Sequence, residues 1–207
     1  MMTIRDEILS RLRREQQNMP VTGTHKRSYP ELAAQFSLRL QASAGEVYRV
    51  SRFDEGLEKL RDLFGELKVK TVASQREAPL DRIDFSASFP NQNWHFAGEV
   101  EDYRGVCAEA DAGLTSAAVA LAETGTLVLE PGPVQSRLTS LLPPVHFVLL
   151  PESRILPSIF DWSAQLPDPL PSNVVLVSGP SKTADIEQTL VVGVHGPKRL
   201  IVIVHPE

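Results

Sequence analysis

The stretch that most constrains the fold is Asn173 to Val204, NVVLVSGPSKTADIEQTLVVGVHGPKRLIVIV. It opens on an unbroken apolar run, Val174 to Val177, with no polar alternation, which is how a strand buried on both faces reads. Ser178-Gly179-Pro180 breaks the run, and Ser181 to Glu187 supplies hydroxyls and carboxylates of the kind that start helices. Ile186 and Leu190, four apart, can share one helix face, and Gly193 with Gly196-Pro197 stops the helix. Leu200 to Val204 is a second apolar run of strand length. The stretch therefore predicts a βαβ unit whose first turn lies where such sheets bind ligands.

The same alternation runs through the chain. Helical stripes fall at residues 31–42 (Leu32, Phe36, Leu40) and 53–67 (Leu57, Leu60, Leu63, Phe64), and strand-length runs at 46–51, 69–73, 126–129 and 145–150. Residues 106–108 read as a short strand, the Ala-rich segment 110–122 as a helix, 135–142 as a turn or short helix, and 157–165 as a helix. Residues 75–104 show no clean period and read as connector whose loops reach the ligand site; Trp94-His95-Phe96 within them reads as a packed patch. The expectation is an α/β fold, a doubly wound, mostly parallel sheet. Residues 1–29 form an N-terminal amphipathic helix (Ile4, Ile8, Leu12) and polar connector, and residues 30–207 the α/β domain.

Bulk numbers narrow the function. The 207 residues carry a net charge of −5, which argues against a general nucleic-acid binder. Arg11, Arg13, Arg14, Lys26 and Arg27 crowd near the N-terminus, as a solvated helix face or a docking arm for an acidic partner. Cys107 is the single cysteine; it allows no internal disulfide and cannot by itself hold an iron–sulfur cluster, so no intrinsic cofactor of that kind is expected. It reads as a small buried hydrophobe. No apolar run approaches the roughly 20 residues of a spanning helix, and the N-terminus has no signal-peptide core, so a cytoplasmic protein without membrane insertion is expected.

SGPSKTADIE at 178–187 followed by GVHGP at 193–197, with ETGTLVL at 123–129 and LLPPVHFVLL at 141–150, resembles the LUD (lactate-utilisation) domain family, over roughly residues 30 to 205. The resemblance implies a fold like the phosphosugar-isomerase and CoA-transferase group. It also implies a role in lactate oxidation as an accessory component beside iron–sulfur partner subunits.

Three groups of residues are candidates for chemistry. Ser178, Gly179, Ser181, Lys182, Thr183, Asp185 and Glu187 form a turn into a helix, where free N–H groups and the Lys182 charge suit an anion, although the two carboxylates oppose one. The packing alternative is that Ser181 or Thr183 only caps the helix. Thr124, Gly125 and Thr126 form a facing turn, and Glu123 beside them is a nucleophile by analogy with the CoA transferases or a helix-end carboxylate. His195, between glycines, and His146 suit acid–base duty or a structural role. Asp185, Glu187 and His195 lack the spacing of a zinc site, so no metal is expected. With no GxSxG, GxGxxG or Walker loop, three readings stand. They are a small-anion-binding accessory subunit, a stand-alone enzyme on a CoA-linked or phosphorylated small molecule, and a non-catalytic scaffold.

Overall fold

The computed structural model describes residues 27–132, 135–166, 171, 173–184, 190–192 and 195–207, with four positions of the N-terminal segment. Those four, Ile4, Arg5, Glu7 and Ser10, are helical; the rest of the expected helix over 3–17, and its connector to residue 26, lie outside the described residues.

The centre is a six-stranded sheet with every neighbouring pair parallel, in the order β1-β12-β7-β4-β2-β3. Its strands are β1 (Glu46–Arg49), β2 (Thr71–Ser74), β3 (Asn93–Phe96), β4 (Ala112–Thr115), β7 (Val145–Pro151) and β12 (Arg199–His205). β7 and β12 are apolar without alternation because both faces are covered. Phe147, Leu149, Ile201 and Ile203 enter one core, with Leu60, Leu63 and Phe64 of helix α2 (Phe53–Glu66). Val148, Leu150, Leu200, Val202 and Val204 enter the other, with Ala33, Phe36 and Leu40 of helix α1 (Leu32–Ala42). The fold class is thus as expected, helices flanking a parallel sheet.

A second sheet covers part of the α1 side. It has the order β8-β5-β6-β9, with β5 (Val119–Leu121), β6 (Thr126–Leu129), β8 (Ile155–Leu156) and β9 (Val175–Val177). β6 pairs antiparallel with β5 and with β9. Ala117, Ala120, Ala122, Leu127 and Leu129 share the core of α1, β7 and β12.

Several local expectations are corrected. Residues 110–122 form β4 and β5 rather than a helix. Their small side chains serve a close approach: a Cβ at Gly113 would lie 1.9 Å from the Thr139 carbonyl oxygen of the short helix α5 (Leu138–Leu141). Residues 106–108 belong to a helix, α4 (Tyr103–Glu109), whose N-terminus Asp102 caps by accepting from the Gly105 amide at 2.9 Å. Residues 75–104 hold the short helix α3 (Phe85–Ser88) and β3, where Trp94 packs among Phe64, Phe85, Phe89 and Phe96.

The largest correction concerns the expected βαβ unit. β9 is at the edge of the second sheet, with Leu176 49% exposed, so it is not a doubly buried parallel strand. Lys182–Ala184 is not a helix start but β10, paired antiparallel with β11 (Leu190–Val192). Residues 157–165 do contain a helix, α6 (Ile159–Ser163), capped by Ser158. No helix among the described residues is long and apolar enough to cross a membrane.

Candidate functional site

The carboxyl edge of the parallel sheet opens into a cleft of about 440 Å³. Three neighbouring strands, β2, β4 and β7, lead polar groups into it, as open α/β sheets do where strand order leaves a crevice. Gln75 follows β2, Thr115 ends β4 with Ser116 next, and Arg154 sits in the 3-10 turn after β7. Gln135, Ser136 and Arg137 come from the segment between β6 and α5. A wider hollow of about 710 Å³ continues past Gln135–Arg137 towards Tyr103.

Glu77 organises the cleft. Its Oε1 accepts from the Ser116 amide at 2.8 Å and from Gln75 Nε2 at 2.6 Å, and its Oε2 accepts from Gln135 Nε2 at 2.7 Å. One carboxylate thus ties the loops after β2, β4 and β6 and has its lone pairs largely occupied. Arg154 Nη1 donates to the Ser116 hydroxyl at 3.2 Å and the Ala117 carbonyl at 2.8 Å. Among the described residues Arg137 makes no side-chain hydrogen bond or ion pair, so its guanidinium remains available. Two arginines and two side-chain amides around a preformed hollow can hold a small polar anion; a guanidinium fork matches a carboxylate or phosphate bidentately.

Beneath the cleft, Thr115 Oγ1 lies 2.8 Å from Nε2 of His146. The imidazole is fully buried, which pushes its pKa down to about 3 and keeps it neutral. Its Nδ1 has no partner among the described residues. Tyr103 donates to the Ser74 carbonyl at 2.7 Å and lies 2.8 Å from Thr139 Oγ1; burial raises the phenol pKa, and that of Cys107 to about 11. These buried, un-ionised groups seat α4 and α5 on the sheet.

The residues singled out in the sequence gather elsewhere. Thr124, Thr126 and Ser178 form a chain of hydroxyls at 2.7 and 2.8 Å, so the turn at 123–126 and the end of β9 do face each other. Both abut the end of α1. Gly125, at φ +67°, leaves no room for a Cβ, which would lie 2.3 Å from the Leu40 amide nitrogen, and Lys182 Nζ donates to the Ser43 carbonyl at 2.9 Å. Glu123 is ion-paired with Arg27 at 2.8 Å. Ser178, Gly179, Ser181 and His195 line a hollow of about 200 Å³ that also meets His146. The Thr183 backbone lies in β10; Asp185 and Glu187 lie outside the described residues. Gln75, Glu77, Arg137 and Arg154 were missed; only Gln75 directly follows a strand, and no sequence pattern marks the other three.

The LUD domain family matches residues 33–205, most of the chain. The chain belongs to the LUD domain family. The family expected from the 178–187 and 193–197 motifs is therefore the one found. A "Lactate utilization protein C 1" of Bacillus mycoides is 32% identical over 186 residues, 84% of this chain and 79% of that one. "Uncharacterized protein NMB1437" of Neisseria meningitidis serogroup B is 43% identical over 96 residues, 45% of this chain and 41% of that one. The crystal structure of a DUF162 family protein from Deinococcus radiodurans has a TM-score of 0.56 at 24% identity, covering 84% of this chain and 96% of that one. That likeness is one of fold.

Proposed function

We propose that this LUD-domain chain is the ligand-handling component of a lactate-utilisation system, binding a small carboxylate in the cleft at the sheet's carboxyl edge. The relatives named for lactate utilisation support the biological role. The observation carrying the site is the pairing of Arg137 and Arg154 around a cleft already braced by Glu77. Electron transfer from lactate then falls to cytoplasmic partner subunits bearing iron–sulfur clusters, since Cys107 is the only thiol here.

Thermal unfolding with added lactate, pyruvate, phosphate, CoA and phosphosugars tests this. A ligand at 100 times its Kd adds about 2.7 kcal/mol, or roughly 5–10 °C for a domain of this size. Lactate or pyruvate should stabilise the wild type, and Arg137→Gln should weaken that effect without lowering the melting temperature of the free protein. A shift with CoA or a phosphosugar alone points instead to a stand-alone enzyme, and no shift to a scaffold.

A second reading places the anion in the smaller hollow of Ser178, Gly179, Ser181 and His195, with Lys182 and the Thr124–Thr126 turn beside it. The hydroxyl chain from Thr124 to Ser178 favours it, because its two internal bonds use two of the three hydroxyl hydrogens and leave the third to donate to an anion. Under this reading Lys182→Ala, and not Arg137→Gln, abolishes the ligand-dependent shift.

A further inference from the structure

The cleft at the carboxyl edge is larger than a three-carbon acid needs. Its volume is about 440 Å³, and the hollow that continues past Gln135–Arg137 adds about 710 Å³. Pockets of about 300–1,000 Å³ ordinarily enclose ligands of drug size, and lactate would fill only a small part of this one.

The two parts differ in chemistry. Around the first, Gln75, Ser116, Gln135 and Arg154 present amides, hydroxyls and charge. The second is walled by Ala97, Tyr103, Pro131 and Leu138. Ala97 and Tyr103 belong to a small apolar cluster with Cys107 and Ala110, and Leu138 packs against it. The Tyr103 hydroxyl is engaged beneath the surface, donating to the Ser74 carbonyl at 2.7 Å with Thr139 Oγ1 at 2.8 Å, which leaves the ring to the hollow.

The border between the parts is held in place. Gln135 Nε2 donates to Glu77 at 2.7 Å, and the Arg137 carbonyl accepts from the Ser140 hydroxyl at 2.9 Å. Arg137 lines both parts, so it stands where polar wall gives way to apolar wall. A ligand that bridges them must be charged at one end and apolar at the other.

We propose that the cleft takes a carboxylate with an apolar tail longer than the methyl of lactate, its head at Arg137, Arg154 and Gln75 and its tail over Leu138 and Tyr103. The assignment names a substrate class for the small-carboxylate reading of the cleft, and rests on that reading. Lactate is then the head group alone, and each further methylene buried in the hollow raises affinity by about fourfold. A flat ring can in addition pack against that of Tyr103.

Isothermal titration of the full chain with lactate, 2-hydroxyhexanoate and phenyllactate, which share one head, tests the idea. Both longer acids should bind at least about tenfold more tightly than lactate, since two buried methylenes already amount to about fifteenfold. Hexanol, a tail without the carboxylate, should bind at least about tenfold more weakly than 2-hydroxyhexanoate. Leu138→Ser, at a half-buried position of the hollow, should cut the advantage of the longer acids by at least about threefold. If that variant does not fold, Asn173→Trp, at an exposed position lining the same hollow, should do so by filling it. Equal binding of lactate and the longer acids by the wild type overturns the tail site while leaving the cleft reading intact, as does an advantage undiminished in the folded variant. Hexanol binding as tightly as the acid overturns the two-part placement. If none of the three acids binds, the carboxylate reading and this assignment fall together.

Discussion

Gly113→Ala should be among the most damaging single-methyl changes in this protein. Gly113 lies in β4 at the middle of the sheet, opposite His146 of β7 on one side and Ala73 of β2 on the other. An added Cβ would sit 1.9 Å from the Thr139 carbonyl oxygen, 1.5 Å short of the 3.4 Å at which ordinary contact begins, and 3.3 Å from Pro143 Cγ. The obstructing atom is backbone, so no side-chain rotation relieves it. α5 must rise off the sheet or β4 must bend, against the tie from Thr139 Oγ1 to Tyr103. Overpacking of a well-filled core costs about 1–3 kcal/mol, and a backbone obstruction belongs at the upper end. About 3 kcal/mol corresponds to a melting temperature lower by roughly 6–12 °C in a domain of this size. Because α5 carries Ser140 and follows Arg137, its displacement should also reduce anion affinity in the cleft. Thermal unfolding followed by circular dichroism, with ligand titration on the folded fraction, measures both. A melting temperature within about 2 °C of wild type would refute the packing argument.

The other predictions are simpler. Thr115→Val keeps the shape of a buried position but strips His146 of its hydrogen-bond partner, and should cost about 1–3 kcal/mol in urea unfolding; no loss would show that Nε2 finds another partner. His146 also sets a pH dependence: its folded pKa, about 3, lies below the unfolded 6.5, so its contribution is complete above pH 6.5 and declines as pH falls towards 3. The stability gap between wild type and His146→Leu should therefore narrow by up to about 1.4 kcal/mol per pH unit below 6.5, and a gap constant from pH 7.5 to 5 would contradict this. Gly65→Ala, in the last turn of α2 with nothing within 4 Å of the new Cβ, should stabilise by about 0.5–1 kcal/mol. A melting temperature lowered by the change would expose an unseen constraint there.

What could be read from the sequence depended on how local its cause was. β7 and β12 announced themselves because both faces are buried, and α1 and α2 because Phe36, Leu40, Leu60 and Phe64 recur at helical spacing. Residues 110–122 misled because alanine and glycine serve a closely packed helix and a closely covered strand equally well. The deciding contact, the Thr139 carbonyl, comes from a distant segment. Residues 174–177 misled for a related reason, since an apolar run does not say which sheet it joins. The facing of Thr126 and Ser178 was legible, as was the family carried by the flanking motifs. The cleft was not. Glu77 bonds to partners 39 and 58 residues away, and no periodicity encodes a carboxylate that three loops share.

The end of α1 behaves as a mechanical joint. The Leu40 backbone blocks any side chain at position 125, and the Ser43 carbonyl stands 2.8 Å from where a Cβ on Gly179 would be while also accepting from Lys182. Two loops from the second sheet thus share one bearing surface on a helix that precedes every strand among the described residues. Neither loop can take a side chain at its glycine without pushing on the helix end that seats the other. A graft that moves the 178–182 loop into a relative must therefore carry residues 40–45 and 123–126 with it, as one interlocking part.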